Sequence, residues 1–193
     1  MIGDWAHSGL AADEVLAFLD KRAGLLDGVC LTGGEPLLQD DLAEFLQSVR
    51  ARGYLIKLDT NGSQPERLQS LVQQGLVDYV AMDIKNAPDK YAQTIGLAAY
   101  DLRAVRESVD FLLSDAVDYE FRTTVVQELH QACDFLAIGQ WLKGAKRYFL
   151  QGFVDSEYVL RNGLHSVPAA KMLEFREILR PQVPAVELRG IDI

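Results

Sequence analysis

Val29-Cys30-Leu31-Thr32-Gly33-Gly34-Glu35-Pro36 carries an apolar run directly into a turn. The first four residues suit a strand. The two glycines allow positive φ and close approach to the main chain, while Pro36 restricts Glu35 to extended geometry and suits the first turn of a helix. The stretch therefore predicts a strand whose carboxyl end passes through a turn into a helix, with one carboxylate and two side-chain-free units at the turn. Such a turn can hold a ligand's ammonium group. It can equally be a plain strand-to-helix connection with an exposed Glu.

Working outward, two hydrophobic periods alternate along the chain. Strand-like runs fall at 28–32, 54–59, 78–84, 118–126 and 147–152, and Val186-Glu187-Leu188-Arg189 reads as a short last strand. Between them lie helical faces: Val15, Phe18 and Leu19; Leu42, Phe45, Leu46 and Val49; Leu68, Leu71 and Val72; Leu102, Val105, Val109 and Leu112; and finally Met172, Phe175 and Leu179. Asp40 and Asp41 place negative charge at the start of the second helix, and Pro65 follows Asn61-Gly62-Ser63 at a first-turn position. Repeated βαβ units predict an α/β fold with a parallel sheet, an incomplete parallel (β/α) barrel of five or six units. In such folds ligands bind at the carboxyl ends of the strands.

Composition narrows the classes. With 193 residues and 49% hydrophobic content, the chain can bury a sizeable core, and residues 1–193 are expected to form a single domain. A net charge of -9 argues against nucleic acid or an anionic membrane as partner. No apolar stretch approaches the roughly 20 residues needed to span a bilayer, and Met1-Ile2-Gly3-Asp4-Trp5 lacks the regions of a signal peptide, so a cytoplasmic protein is expected. Cys30, in an apolar strand, is expected to be a small buried hydrophobe, and Cys133, at a helix start, an ordinary reduced thiol. Neither belongs to a metal-ligand cluster.

The strand exits collect the unusual residues. Lys57-Leu58-Asp59-Thr60-Asn61-Gly62 sets a carboxylate, a hydroxyl and an amide at the second exit. Thr60 and Asn61 can grip a ribose or a carboxylate, or simply form an Asx-type turn before Pro65. Asp59 ends an apolar strand, where an unpaired buried charge is costly, so a ligand, a cation or a basic neighbour is expected beside it. In the third strand Asp83 and Lys85 share one face, with Val80, Met82 and Ile84 on the other. A local salt bridge is one reading. Another makes Lys85 a Schiff-base nucleophile tuned by Asp83. Glu120, Arg122 and Thr124 share a face of the fourth strand, where Arg122 either projects into a polar barrel interior or pairs with Glu120.

The order strand-GGEP-helix, strand-DTNG-helix, strand-MDIK-helix, strand-EFRTTV-helix resembles the radical S-adenosylmethionine superfamily over nearly the whole chain. Leu25-Leu26-Asp27-Gly28, Lys57 to Gly62, Asp78 to Asp83 and Tyr119 to Thr124 look most like the activating proteins of anaerobic ribonucleoside-triphosphate reductase. The resemblance implies that Gly33, Gly34 and Glu35 hold the methionyl ammonium of S-adenosylmethionine, with Glu35 accepting its hydrogen bonds. It implies Asp59 at a ribose and cation position with Thr60 beside it, Asp83 and Lys85 near the cofactor's carboxylate, and Arg122 in the same pocket. It also implies a 4Fe-4S cluster on three N-terminal cysteines, an electron donor such as flavodoxin or ferredoxin, and a glycyl-radical enzyme as partner. In that family one electron cleaves the sulfonium, and the resulting 5′-deoxyadenosyl radical takes hydrogen from a glycine of the partner.

The pattern departs in one place. No C-x-x-x-C-x-x-C occurs, and Cys30 and Cys133 cannot replace it. Asp13-Glu14-Val15-Leu16 looks like the first helix after the cluster loop, so the first strand and the cluster loop are expected to lie outside the chain. His7 is a poor substitute ligand, since thiolates are the normal ones. The expected protein is then an activating protein whose chain as given is inactive. The alternative is a non-catalytic remnant that binds S-adenosylmethionine or a partner.

Overall fold

The computed structural model describes residues 11–155 and 163–191, and His7 lies outside them. Six strands, β1 (Gly28–Leu31), β2 (Leu55–Thr60), β3 (Tyr79–Asp83), β4 (Asp118–Val125), β5 (Tyr148–Gly152) and β6 (Val186–Arg189), follow one another across an unclosed parallel sheet in chain order. Helices α1 (Ala12–Asp20), α2 (Leu42–Arg50), α3 (Pro65–Gln73), α4 (Tyr91–Thr94), α5 (Arg103–Leu113), α6 (Ala132–Trp141) and α7 (Ala169–Leu179) alternate with them. The α/β fold and the incomplete parallel barrel expected from the alternating periods are both present.

By packing, the described chain divides into two compact units. One runs to Ala81 and includes Ala104–Asp118; the other comprises Met82–Arg103 and the chain from Tyr119 onward.

In the first unit, β1 and β2 pair in parallel with Cys30 opposite Lys57 and Leu31 opposite Leu58. Ile56 and Leu58 are fully buried on one face of β2, and burying such a side chain stabilises the fold by about 1.5–3 kcal/mol. On α2 the buried residues are Leu42, Leu46 and Val49; this helix packs on β2 and receives α1. Asp41 flanks α2 as its cap residue but makes no side-chain capping bond, so the acids expected there contribute charge alone. Pro65 stands at the first turn of α3, where its missing N–H costs nothing. Phe18 is half exposed, and of its face only Leu19 is buried, so α1 is less amphipathic than its spacing predicts. Asp78 accepts from Arg50 at 2.9 Å and from Ile56 N–H at 2.7 Å, which anchors the approach to β3.

In the second unit, β5 pairs in parallel with β4 on one side and β6 on the other. The expected face of Met172, Phe175 and Leu179 is buried on α7, which packs on α6 and β6. Phe135 of α6 stacks on Phe175 with ring centroids 4.4 Å apart. The last two strands come close where Gly152 meets Gly190: a Cβ on Gly152 would stand 2.5 Å from Gly190 O. No described helix is long and apolar enough to cross a membrane.

Candidate functional site

At the exit of β1, Gly33 takes φ +130°, a conformation open essentially to glycine alone, and a Cβ there would meet nothing within 4 Å. Glu35 is extended, as a residue before proline must be, and Pro36 opens a single 3-10 turn (Pro36–Leu38) before α2. The Glu35 side chain turns inward. Buried to 4% exposure, its Oε1 accepts from Leu37 N–H at 3.2 Å and from Thr60 Oγ1 at 2.7 Å, while Oε2 accepts from Asn61 N–H at 2.7 Å. The exposed Glu of the plain-turn reading is thereby ruled out. A carboxylate offers about four acceptor positions, so donors among the described residues leave capacity for one more.

Thr60 is fully engaged from both sides. Besides donating to Glu35 it accepts from Gly62 N–H at 3.1 Å, and Asn61 Oδ1 accepts from Ser63 N–H at 2.8 Å in the expected Asx turn. Both hydroxyl and amide thus serve the turn itself. Asp59 points elsewhere: Lys57 Nζ lies 2.5 Å from its Oδ1, and Cys30 Sγ lies 3.6 Å from the same oxygen. The basic neighbour expected for a buried Asp59 is Lys57, two residues earlier on the same face of β2. The chain therefore meets the charge requirement internally.

Cys30 is exposed, contrary to the expectation of a buried strand residue. The reason is positional, since β1 is an edge of the described sheet and Cys30 lies on the face that carries Lys57 and Asp59 rather than on the apolar face. Burial of part of the thiol, and then the Asp59 carboxylate, push its pKa up, while Lys57 opposes them. Cys133 is exposed and free, as expected of a reduced thiol.

In the second unit the exit of β3 brings Asp83, Lys85 and Arg122 together. Lys85 Nζ meets Asp83 Oδ2 at 2.7 Å and Arg122 Nε meets Oδ1 at 2.5 Å, so one carboxylate lies between two cations. Lys85 remains part-exposed at 43%. Glu120, the other partner considered for Arg122, is buried and takes both prongs of Arg189 at 2.9 and 3.0 Å. The Arg189 guanidinium carbon stands 3.2 Å above the centre of the Phe149 ring. Val80, Met82 and Ile84 are fully buried, as the two-residue period requires.

Three residues that the sequence reading passed over fix the backbone of this exit. Tyr91 Oη donates to Asp83 O at 3.5 Å, and burial raises its pKa. His130 Nδ1 lies 3.0 Å from Val126 N and 3.2 Å from Val126 O, and Nε2 lies 3.0 Å from Lys85 O; a neutral ring with its proton on Nε2 accepts from Val126 N–H and donates to Lys85 O. Asn86 is fully buried and donates to Thr94 Oγ1 and to Leu129 O, both at 2.9 Å. Burial lowers the His130 pKa, in keeping with a neutral ring. The signal available in sequence was a His and an Asn flanking apolar strands, which by itself does not distinguish core from surface.

A cavity of about 420 Å³ in the first unit lies at the strand starts, lined by Gly28, Leu55, Lys57, Asp78 and Asp118 among others. It includes none of the eight expected binding residues. Its position is opposite to the exits where α/β folds bind ligands. Among the described residues no group of three His, Cys, Asp or Glu could hold a metal ion.

Comparison with known proteins places these features in a family. The Radical SAM superfamily model matches residues 9–126. A Methanocaldococcus jannaschii protein named as a glycyl-radical enzyme activating enzyme is 29% identical over 192 residues, covering 95% of this chain and 78% of that protein. A 7-carboxy-7-deazaguanine synthase of Koribacter versatilis is 32% identical over 115 residues, 58% of this chain and 47% of the synthase. Among solved structures, a domain of the pyruvate-formate lyase-activating enzyme from Bacteroides vulgatus superposes with TM-score 0.68 at 14% identity, covering 84% of this chain and 99% of that domain. Streptococcus suis SuiB bound to S-adenosylmethionine gives TM-score 0.73 at 10% identity, over 95% of this chain and 44% of SuiB. At such identities the structures speak for the fold alone, whereas the family model spans well over half of the sequence: the chain belongs to the radical SAM superfamily.

Proposed function

We propose that this chain is the S-adenosylmethionine-binding body of an activating protein for an anaerobic, glycyl-radical ribonucleoside-triphosphate reductase. It forms one radical SAM domain, acts in the cytoplasm, and works with a flavodoxin- or ferredoxin-like electron donor. The observation that carries this reading is the open Gly33 turn beside a buried carboxylate with room for one more donor. An ammonium group fits there, on Glu35 and the backbone of Gly33 and Gly34. Lys85 and Arg122, steadied by Asp83, suit a ligand carboxylate. In the first unit Asp59 and Thr60 line the β2 exit, with Asp59 reaching a ligand only by sharing it with Lys57. Likeness to the M. jannaschii activating enzyme over 95% of this chain supports the activating role.

S-adenosylmethionine supplies a sulfonium whose one-electron cleavage starts radical chemistry. What these residues do is bind and orient: in the first unit the β1 turn suits an ammonium, and in the second the cations at the β3 exit suit a carboxylate. The 4Fe-4S cluster does not fit the residues present. The sequence has two cysteines where three thiolates are required. No electron-transfer step is therefore assigned to this chain.

Calorimetric titration with S-adenosylmethionine tests the binding role. Saturable binding weakened at least about tenfold by Glu35→Ala is expected from loss of a charge-assisted bond; no saturable binding overturns it. For the partner, the protein supplied with a cluster-bearing segment and a reductant is expected to raise a glycyl-radical EPR signal on the reductase. A signal only on some other glycyl-radical enzyme would reassign the partner. The two-cysteine count also favours a second reading, a non-catalytic binding remnant. That reading predicts binding without any EPR signal.

A further inference from the structure

We infer that Ser108, on α5, is a positioning residue that holds the ligand-facing turns through a buried chain of hydrogen bonds ending on Glu35. The inference rests on the binding role proposed above for Glu35.

Ser108 is out of place as a hydrophobic-core residue. It sits in the stripe Val105, Ser108, Val109 and Leu112, all buried, and is itself fully inaccessible. A hydroxyl in such a place is costly unless bonded. Its Oγ donates to Gly62 O at 2.8 Å. Gly62 takes φ +74°, and its N–H donates to Thr60 Oγ1 at 3.1 Å. Thr60 Oγ1 in turn donates to Glu35 Oε1 at 2.7 Å, and Asn61 N–H reaches Oε2 at 2.7 Å.

Each link constrains the next. Gly62 is gripped from both ends, its carbonyl by Ser108 and its N–H by Thr60. Gly62 N–H brings its own hydrogen to Thr60 Oγ1 and the Glu35 carboxylate can only accept, so the Thr60 hydroxyl proton points to Glu35 Oε1. Glu35 is then held so that its remaining acceptor position is set by α5, from a residue far away in sequence. Replacing Ser108 by Ala removes one oxygen and no apolar contact, so the fold can persist while the turn loosens.

Amide hydrogen exchange on the ligand-free chain provides the first test. In Ser108→Ala, exchange at Asn61 and Leu37, the two amides bonded to Glu35, is expected to quicken about tenfold, with Ile56 and Leu58 of β2 unchanged. No change at Asn61 and Leu37, or equal acceleration throughout β2, overturns the chain of bonds. Titration with S-adenosylmethionine provides the second. The Kd is expected to rise about fivefold in Ser108→Ala, the usual weight of one neutral hydrogen bond. Adding Ser108→Ala to Thr60→Val should change the Kd little, because the chain is already broken. An unchanged Kd in Ser108→Ala, or independent, multiplying effects of the two substitutions, overturns the positioning role. A wild-type chain that binds no S-adenosylmethionine defeats the proposed function instead, and the exchange pattern still decides whether Ser108 governs Glu35.

Discussion

The Thr60 hydroxyl donates to Glu35 Oε1 at 2.7 Å, which fastens the turn after β2 to the turn after β1. Both residues are buried, and the bond ends on a carboxylate, which makes it stronger than a neutral pair. Thr60→Val keeps the shape of the side chain but removes the donor to Glu35 and the acceptor for Gly62 N–H. Urea denaturation is expected to show a loss of about 1.5–3 kcal/mol, with Thr60→Ser recovering most of it. Equal stability of the valine variant and the wild type would refute this assignment.

Two glycines separate backbone strain from steric overlap. At Gly33 a Cβ meets open space, so Gly33→Ala is resisted by its φ of +130° alone, at a cost of about 1–3 kcal/mol. At Gly152 a Cβ would overlap Gly190 O, a backbone atom that cannot rotate away. Gly152→Ala is therefore expected to cost more, and to part β5 from β6 at their ends. Thermal melts of the two variants, with Gly152→Ala the lower, check the ranking.

The period-two and period-3.6 patterns located every strand to within a residue or two, because a parallel sheet buried on its apolar face writes that face plainly into the sequence. The exits were legible as places where polar residues gather, and the pairing of Asp83 with Lys85 follows from strand alternation alone. What the sequence could not convey is which groups satisfy one another. Thr60 and Asn61 read either as ligand contacts or as an Asx-type turn; the turn is present, but its tie to Glu35, some 25 residues away, is not written in the local sequence. Arg122 has one acid on its own strand face, Glu120, yet the fold brings Asp83 of β3 beside it while Arg189 takes Glu120. Cys30 looked apolar by its neighbours, but its place at a sheet edge leaves it exposed.

His130 ties stability to pH. Burial favours the neutral ring in the folded state and lowers its pKa below the unfolded value of about 6.5. Above that value both states are neutral and the contribution is fully present. As pH falls below it the unfolded chain binds a proton first, and stability declines until the folded pKa is reached. Melting temperatures measured from pH 8 to 5 are expected to fall for the wild type and to flatten in His130→Gln. Parallel curves for the two proteins would remove His130 as the source.

Arg189→Ala should destabilise the β4 to β6 region of the second unit. It withdraws a two-pronged partner from the buried Glu120 and uncovers the face of Phe149. Losing one member of a buried ion pair costs on the order of 3 kcal/mol, and Arg189→Lys should recover only part of this because ammonium cannot match both carboxylate oxygens. Chemical denaturation of the two variants measures the difference, and equal stability of the lysine variant and the wild type would count against the two-pronged geometry.

Cys30 offers a chemical readout of the Asp59 and Lys57 pair. Partial burial is the leading cause of its raised pKa and the Asp59 carboxylate the next, so little thiolate forms at neutral pH. Alkylation by iodoacetamide, followed at Cys30 by peptide mass spectrometry, should therefore be slower than at a free cysteine and should climb as pH rises past the ordinary thiol range. Asp59→Asn removes a group that raises the pKa and should speed the reaction at pH 8. Lys57→Met removes one that lowers it and should slow the reaction. The two substitutions act in opposite directions only if the thiol senses both charges, as the 3.6 Å contact to Asp59 and the 3.8 Å contact to Lys57 require. A shared direction would mean that exposure, rather than charge, governs Cys30.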